Sequence, residues 1–179
     1  MKKVPGVLAF IFVPLVLLGI VYLVNNHFYP MTYKQEITSF AQTYNVPPSL
    51  VASIANTESG MNEKALSSKG AKGVMQLMPT TAEWLAGKLG KDYCEEKLFE
   101  AEYSLELGTY YLSYLLKTFE DEKVAICAYN AGQGNVINWL SNESYSKDGK
   151  TLALIPFKET ENYLNKVLKN LHYYEKRYK

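Results

Sequence analysis

Apolar positions recur along most of the chain at three- and four-residue spacing, separated by polar stretches, a pattern that predicts a series of amphipathic helices. The first stretch is different. Val4 to Val24 is a run of 21 uncharged positions, long enough as a helix to cross a hydrocarbon core of about 30 Å. It exceeds the roughly 7–15 residue apolar core of a cleaved signal peptide, and Asn25-Asn26-His27-Phe28-Tyr29-Pro30 offers no small-x-small cleavage site. Lys2 and Lys3 hold the N-terminus on the cytoplasmic side. Residues 1–30 are therefore read as an uncleaved signal anchor with a short tether, spanning the cell membrane once through residues 4–24. Pro14 is tolerable there if the carbonyl it frees is satisfied locally. The competing reading is a cleaved leader and a secreted protein.

Beyond the anchor, residues 31–179 read as one mainly helical domain. Thr32 and Gln35 fit a capping box for a helix over 32–44, with Tyr33, Ile37, Phe40 and Tyr44 as its apolar stripe. Pro47, Pro48 and Ser49 open a second amphipathic helix, carried by Leu50, Val51, Ile54 and Ala55, and Gly60 stops it. A polar, irregular segment follows from Met61 to Lys72, with turn chemistry at Ser67-Ser68-Lys69-Gly70. Pro79 suits the first turn of a short helix reaching about Leu89. A helix over 98–119 has Leu105, Gly108, Leu112, Leu115, Leu116 and Phe119 on one face. Gly108 there costs about 1 kcal/mol relative to Ala and implies close approach of a neighbouring backbone. Shorter helices follow over 123–130 and 135–140, then a loop over 141–154. The last helix carries Tyr163, Leu164, Val167, Leu168, Leu171, Tyr174 and Tyr178, with Glu159 on the Tyr163 face. No strand and no repeat is evident.

Composition narrows the chemistry. The net charge is +1, but Lys2 and Lys3 belong to the anchor, so residues 31–179 hold 17 basic and 18 acidic side chains, a net of −1. That balance gives no nucleic-acid surface. Fifteen tyrosines offer apolar faces with polar tips, which suit sugar stacking, although most will be packed. Cys94 and Cys127 are too few for a disulfide framework. Cys127, within Val124-Ala125-Ile126-Cys127-Ala128, reads as a small core residue, with a Cys94–Cys127 bridge as the alternative open to an exported domain. His27 and His172 pair with no cysteine or carboxylate at metal-ligand spacing, so nothing in the sequence points to zinc or triad chemistry and no cofactor is expected.

One carboxylate stands out. Glu58 falls in the last turn of the helix that opens at Pro48, where the negative end of the helix dipole disfavours its ionised form. A carboxylic acid still protonated near neutral pH is what general acid catalysis requires. The plainer reading is an exposed glutamate before a glycine cap. Glycosidases with two carboxylates hold them about 5–9.5 Å apart. Spacing alone nominates no partner for Glu58, so a mechanism with one acid and a group supplied by the substrate fits better.

Four motifs occur in one order: Glu58-Ser59-Gly60; Gly73-Val74-Met75-Gln76-Leu77-Met78-Pro79; Ala128-Tyr129-Asn130-Ala131-Gly132; and Ile155-Pro156-Phe157-Lys158-Glu159-Thr160 with Tyr163. Together they resemble the soluble lytic transglycosylase (SLT) catalytic domain, a relative of goose-type lysozyme in glycoside hydrolase family 23. The likeness covers roughly residues 33–175. It implies a lysozyme-like fold of the α+β superfamily, here all-α or nearly so. It also implies cleavage of the β-1,4 bond between N-acetylmuramic acid and N-acetylglucosamine in peptidoglycan, without water, leaving 1,6-anhydromuramyl ends. By the same resemblance Glu58 is the acid that later serves as base. Ser67 lies near the reacting sugar's N-acetyl group, Met75 and Gln76 line the glycan groove, and Tyr129 and Asn130 face the glutamate. Glu159 and Tyr163 stand at the groove wall and against the core. The chain departs from the family's pattern at Asn62-Glu63 and at Ala101 and Ser104, which puts local turn and cap geometry in doubt.

Two other functions stay open at this point: a hydrolytic muramidase on the same fold, and an inactive, membrane-tethered peptidoglycan-binding scaffold. The partners implied are peptidoglycan glycan strands and the membrane, with cell-wall or secretion machinery unidentified. The domain would work on the extracytoplasmic side.

Overall fold

The computed structural model describes the backbone of residues 5–179 and their side chains other than those of residues 5–12, 21, 22 and 25. The chain divides into two units, residues 1–31 and residues 32–179. The first unit is the helix α1 (Pro5–Phe28), with Pro14 inside it. Its described apolar side chains, among them Leu15, Leu18 and Leu23, are exposed. Among the described residues no helix is long and apolar enough to cross a membrane. The expected span over 4–24 lies partly outside those residues.

The second unit contains seven α-helices and a single 3-10 turn among its described residues: α2 (Lys34–Tyr44), α3 (Pro48–Ser59), α4 (Pro79–Lys88), the 3-10 turn Glu95–Phe99, α5 (Ala101–Phe119), α6 (Glu122–Ala131), α7 (Gln133–Leu140) and α8 (Lys158–Arg177). The only extended pairing described is two isolated bridges, Leu66 with Lys72 and Lys72 with Leu77. The mainly helical expectation therefore holds for residues 32–179.

α3 is buried on nearly every side, with Leu50, Val51, Ala52, Ser53, Ile54 and Ala55 all inaccessible. A helix without a wet face belongs in a core rather than on a surface, so the amphipathic reading of this segment is corrected. Its main contact is α8, and it also touches α2 and α5. The polar side chains this buries are satisfied within the helix. Ser53 Oγ donates to the Ser49 carbonyl at 2.6 Å, and Thr57 Oγ1 to the Ser53 carbonyl at 2.7 Å.

α5 supplies the other half of the core through Leu105, Leu107, Leu112 and Leu115. Gly108 does mark a close approach. A β-carbon there would lie 2.6 Å from the Met75 side chain, so the neighbour is a side chain and not the expected backbone. The helix begins at Ala101 instead of 98 because Glu95–Phe99 forms the 3-10 turn and Glu100 is extended. The capping box expected at Thr32 does not form. The residue before α2 is Tyr33, in the left-handed conformation with φ 61°, and no side chain caps the helix. The Tyr33 hydroxyl instead reaches Glu63 at 3.4 Å. Cys94 and Cys127 are both free thiols, Cys127 buried.

Candidate active site

α3 ends at Ser59, and Gly60 leaves it in the left-handed conformation with φ 63°, its amide bonded to the Asn56 carbonyl at 3.0 Å. That termination places Glu58 in the final turn, as its spacing predicts. Three side chains, those of Ser59, Lys166 and Asn170, hold the turn. Ser59 Oγ donates to the Val74 carbonyl at 2.8 Å and accepts from the Asn62 amide at 3.1 Å. Lys166 Nζ donates to the Thr57 carbonyl at 3.2 Å, and Asn170 Nδ2 to Thr57 Oγ1 at 2.9 Å. α8 thus braces the end of α3 from behind, while Ser59 ties it to the segment in front.

Glu58 itself receives the Tyr163 hydroxyl on Oε1 at 2.7 Å. Its pKa is raised from 4.5 to about 7, chiefly because burial penalises the charge; the Tyr163 hydrogen bond and the Lys166 cation pull in the other direction. The direction agrees with the helix-end argument, but the cause that raises it is burial. Burial also holds the phenols of Tyr129 and Tyr163 well above their usual range, so both remain neutral donors.

The segment 73–77 forms the facing wall. Lys72 and Leu77 exchange both backbone hydrogen bonds, at 3.0 and 3.1 Å, which closes a tight loop around Gly73 (φ 75°) and Gln76 (φ 47°). Gln76 Nε2 donates to the carbonyls of Ala65 and Gly73 at 3.1 and 2.9 Å. Its amide nitrogen is therefore committed to the loop, and its oxygen is the acceptor left for a ligand. Met75 departs from expectation. Its side chain is fully buried against Gly108, so it does not line the groove. What reaches the site is its backbone: Tyr129 donates to the Met75 carbonyl at 3.0 Å, and Ser104 Oγ accepts from the Met75 amide at 3.1 Å. Ser104, a departure from the family's pattern, thus supplies an acceptor at the position it occupies.

A cavity of about 460 Å³ opens over these groups, and Glu58, Ser67, Gln76, Tyr129, Asn130 and Glu159 all line it. Six of the eight residues singled out in the sequence thereby share one wall. Tyr163 lies behind Glu58, outside the lining. Ser67 closes its own loop, accepting from the Ala71 amide on Oγ at 2.9 Å. Asn130 Oδ1 accepts from Thr160 Oγ1 at 2.8 Å, which orients the amide and leaves its NH2 as donor. Glu159 is exposed and paired with Lys69 at 3.4 Å.

The lining also includes Lys69, Met78, Thr81 and Tyr111, none of which the sequence singled out. A second hollow of about 420 Å³ shares Thr81, Tyr111 and Gly132 with the first and adds Trp84. The Trp84, Tyr111 and Tyr129 rings follow one another, with centroids 6.3 and 5.2 Å apart. Thr81 and Trp84 sit three apart on α4, a spacing that could have flagged their shared face. Tyr111 carried no such signal among fifteen tyrosines. Among the described residues no three His, Cys, Asp or Glu side chains cluster to hold a metal. A neutral, half-open carboxylic acid in a groove of hydroxyls, amides and rings can donate a proton to a polyhydroxylated ligand.

Residues 35–152 match the transglycosylase SLT domain family. A soluble lytic murein transglycosylase of Salmonella typhimurium is 35% identical over 150 residues, covering 82% of this chain and 23% of the relative. A membrane-bound lytic murein transglycosylase C of Serratia proteamaculans is 31% identical, over 68% of this chain and 37% of the relative. Among solved structures, an inactive mutant of the lytic transglycosylase Slt from Pseudomonas aeruginosa superposes with a TM-score of 0.73 at 30% identity, covering 83% of this chain and 25% of that one. The 70-kDa soluble lytic transglycosylase of Escherichia coli matches with a TM-score of 0.72 at 30% identity over 82% of this chain and 24% of that one, and a complex of the 70-kDa soluble lytic transglycosylase with bulgecin A matches with a TM-score of 0.73. The chain spans about a quarter of the length of the soluble relatives it matches.

Proposed function

From the premise that this chain belongs to the transglycosylase SLT domain family, we propose that it is a peptidoglycan lytic transglycosylase with Glu58 as its acid and base. The observation that carries this reading is a single half-buried carboxyl, with its pKa raised to about 7, lining an open groove. Protonated Glu58 gives its proton to the glycosidic oxygen as the bond to C1 of N-acetylmuramic acid breaks. The ionised Glu58 then takes the proton of the same sugar's C6 hydroxyl as that oxygen closes onto C1. One C–O bond breaks, one forms, Glu58 regains its proton, and no water enters. The nucleophile is tethered to the substrate, which supplies the entropic advantage of an intramolecular reaction. A hydrolase working with two carboxylates needs a second one to activate water or attack C1. The other carboxylate on the cavity wall, Glu159, is exposed and ion-paired to Lys69, which suits it poorly to that role.

Asn130 supplies a donor toward the ligand, Gln76 an acceptor, and Ser67 a hydroxyl near the N-acetyl group, while Tyr129, its hydroxyl given to the Met75 carbonyl, offers its ring to the groove. Tyr163 positions Glu58. Residues 4–24 tether the domain to the membrane: 21 uncharged positions rise about 31 Å as a helix, matching the hydrocarbon thickness. On that reading the domain works outside the cytoplasm, on wall close to the membrane.

The test is mass spectrometry of the products from purified sacculi. Fragments lighter than their hydrolytic counterparts by one water, with no reducing muramyl end, are expected; reducing ends would make the protein a muramidase. Because free enzyme must start with Glu58 protonated, kcat/KM falls about tenfold per pH unit above roughly 7. Tyr163→Phe removes the hydrogen bond that lowers the Glu58 pKa, so the alkaline limb moves upward while kcat drops. A profile that shifts downward or stays put in this variant would contradict the positioning role of Tyr163.

A further inference from the structure

Three charged side chains line the cavity: Glu58, Lys69 and Glu159. We propose that Lys69 selects glycans carrying carboxylates, its ammonium exchanging Glu159 for an anionic group on the bound sugar. The inference rests on the proposed function, since it concerns the ligand of the same groove.

Lys69 and Glu159 come from segments 90 residues apart in the chain and meet at the cavity wall. Lys69 stands on the loop 67–70, whose backbone is fixed by the Ser67 amide on the Ala71 carbonyl at 2.9 Å and the Gly70 amide on the Ser67 carbonyl at 3.0 Å. Glu159 stands in the first turn of α8. Their heads meet at 3.4 Å with 77% and 71% of the side chains exposed. So long and so wet an ion pair contributes little and opens readily. Opening it also leaves neither partner stranded: Glu159 is favoured by the positive end of α8 even without a cation, and the exposed Lys69 ammonium is hydrated until a ligand anion replaces that water.

Neighbouring lysines do not compete for that role. Lys158 is held by Glu161 at 2.6 Å, Lys72 by Glu95 at 3.2 Å, and Lys166 by the Thr57 carbonyl. Among the described residues Lys69 is the one cation on the cavity wall. With Glu58 protonated, a ligand anion entering the cavity meets repulsion from Glu159 and attraction from Lys69 alone, which drives the exchange. N-acetylmuramic acid carries such an anion as its 3-O-lactyl carboxylate. Where that group is amidated, the attached peptide carries carboxylates of its own. A chain of N-acetylglucosamine alone carries none.

The experiment uses the full chain in detergent with Glu58→Gln, to prevent turnover, and measures Kd calorimetrically. The probes are a peptide-free muramyl glycan, a peptide-bearing glycan and neutral chitotetraose. Adding Lys69→Met weakens the carboxylate ligands about fivefold at low salt, and the difference shrinks at about 0.5 M salt as the pair is screened. Chitotetraose binding stays unchanged, and Lys69→Arg retains the preference. Loss confined to the peptide-bearing glycan assigns the anion to the peptide, and loss on the peptide-free glycan assigns it to the lactyl group. Equal weakening of all three ligands, or of none, overturns the proposal while leaving the reaction standing. Failure of every glycan to bind would instead sink the proposed function.

Discussion

Glu58→Gln abolishes cleavage of peptidoglycan while the protein stays folded, and above neutral pH the variant is more stable than the parent. The first half follows from chemistry. The amide keeps the shape and accepts the Tyr163 hydroxyl as the carboxyl does at 2.7 Å, but it has no proton to give. Loss of general acid catalysis alone costs about 10²–10⁴ in rate, and here the same group must also serve as base. Residual turnover above a few per cent of the parent would remove Glu58 from the mechanism.

The second half follows from linkage. The folded pKa, about 7, lies above the ordinary 4.5, so between those values the folded state holds a proton that the unfolded chain has lost. Stability therefore declines as pH rises from 4.5 through about 7, then levels off with both states ionised. The full difference amounts to roughly 3 kcal/mol, the free energy of about two and a half pKa units. Glu58→Gln carries no such penalty, so urea unfolding at pH 9 should show it gaining up to that amount, with the two proteins converging toward pH 4. Equal pH dependence in parent and variant would mean that burial does not tune this carboxyl. A catalytic acid that destabilises its own fold is the usual trade between stability and activity.

How much of this site could be read from the chain depends on the range of each interaction. Glu58 was legible because helix register and the Gly60 stop are local, and Gly108 because a glycine inside a helix needs a reason. The burial of α3 was not, since Leu50, Val51, Ile54 and Ala55 show the spacing of a surface helix and only the neighbours α2, α5 and α8 cover its other sides. Met75 misled for a related cause. The residue belongs to the site through its backbone, which Tyr129 and Ser104 grip, while its side chain fills the space over Gly108. Tyr163 meets Glu58 across 105 residues of sequence, and Asn170 meets Thr57 across 113, distances over which periodicity carries no information. The capping box at Thr32 failed because a left-handed Tyr33 turns the chain there.

Gly73→Ala should be the most damaging Gly→Ala substitution among the described glycines. The residue has φ 75°, where a β-carbon is strained, and the added atom would sit 1.8 Å from the Leu98 carbonyl oxygen and 2.9 Å from its carbon. Both are backbone, so no side chain can swing aside, and the 3-10 turn Glu95–Phe99 must move as a body. Left-handed strain costs about 1–2 kcal/mol, and displacing packed backbone brings the total to more than about 4 kcal/mol. Against a typical stability of about 5–15 kcal/mol, that leaves a marginal fold. The damage also reaches the chemistry. Gly73 opens the segment that carries Gln76, the Met75 carbonyl and the Val74 carbonyl on which Ser59 fixes the end of α3. Gly70→Ala is the control: its φ of 91° is just as unusual, yet nothing lies within 4 Å of the added carbon, so it isolates the strain from the clash. Urea midpoints should fall slightly for Gly70→Ala and steeply for Gly73→Ala, with the folded remainder of the latter losing activity. Unfolding free energies that agree within about 1 kcal/mol would show that the 3-10 turn yields freely, and that the wall facing Glu58 is not held by this contact.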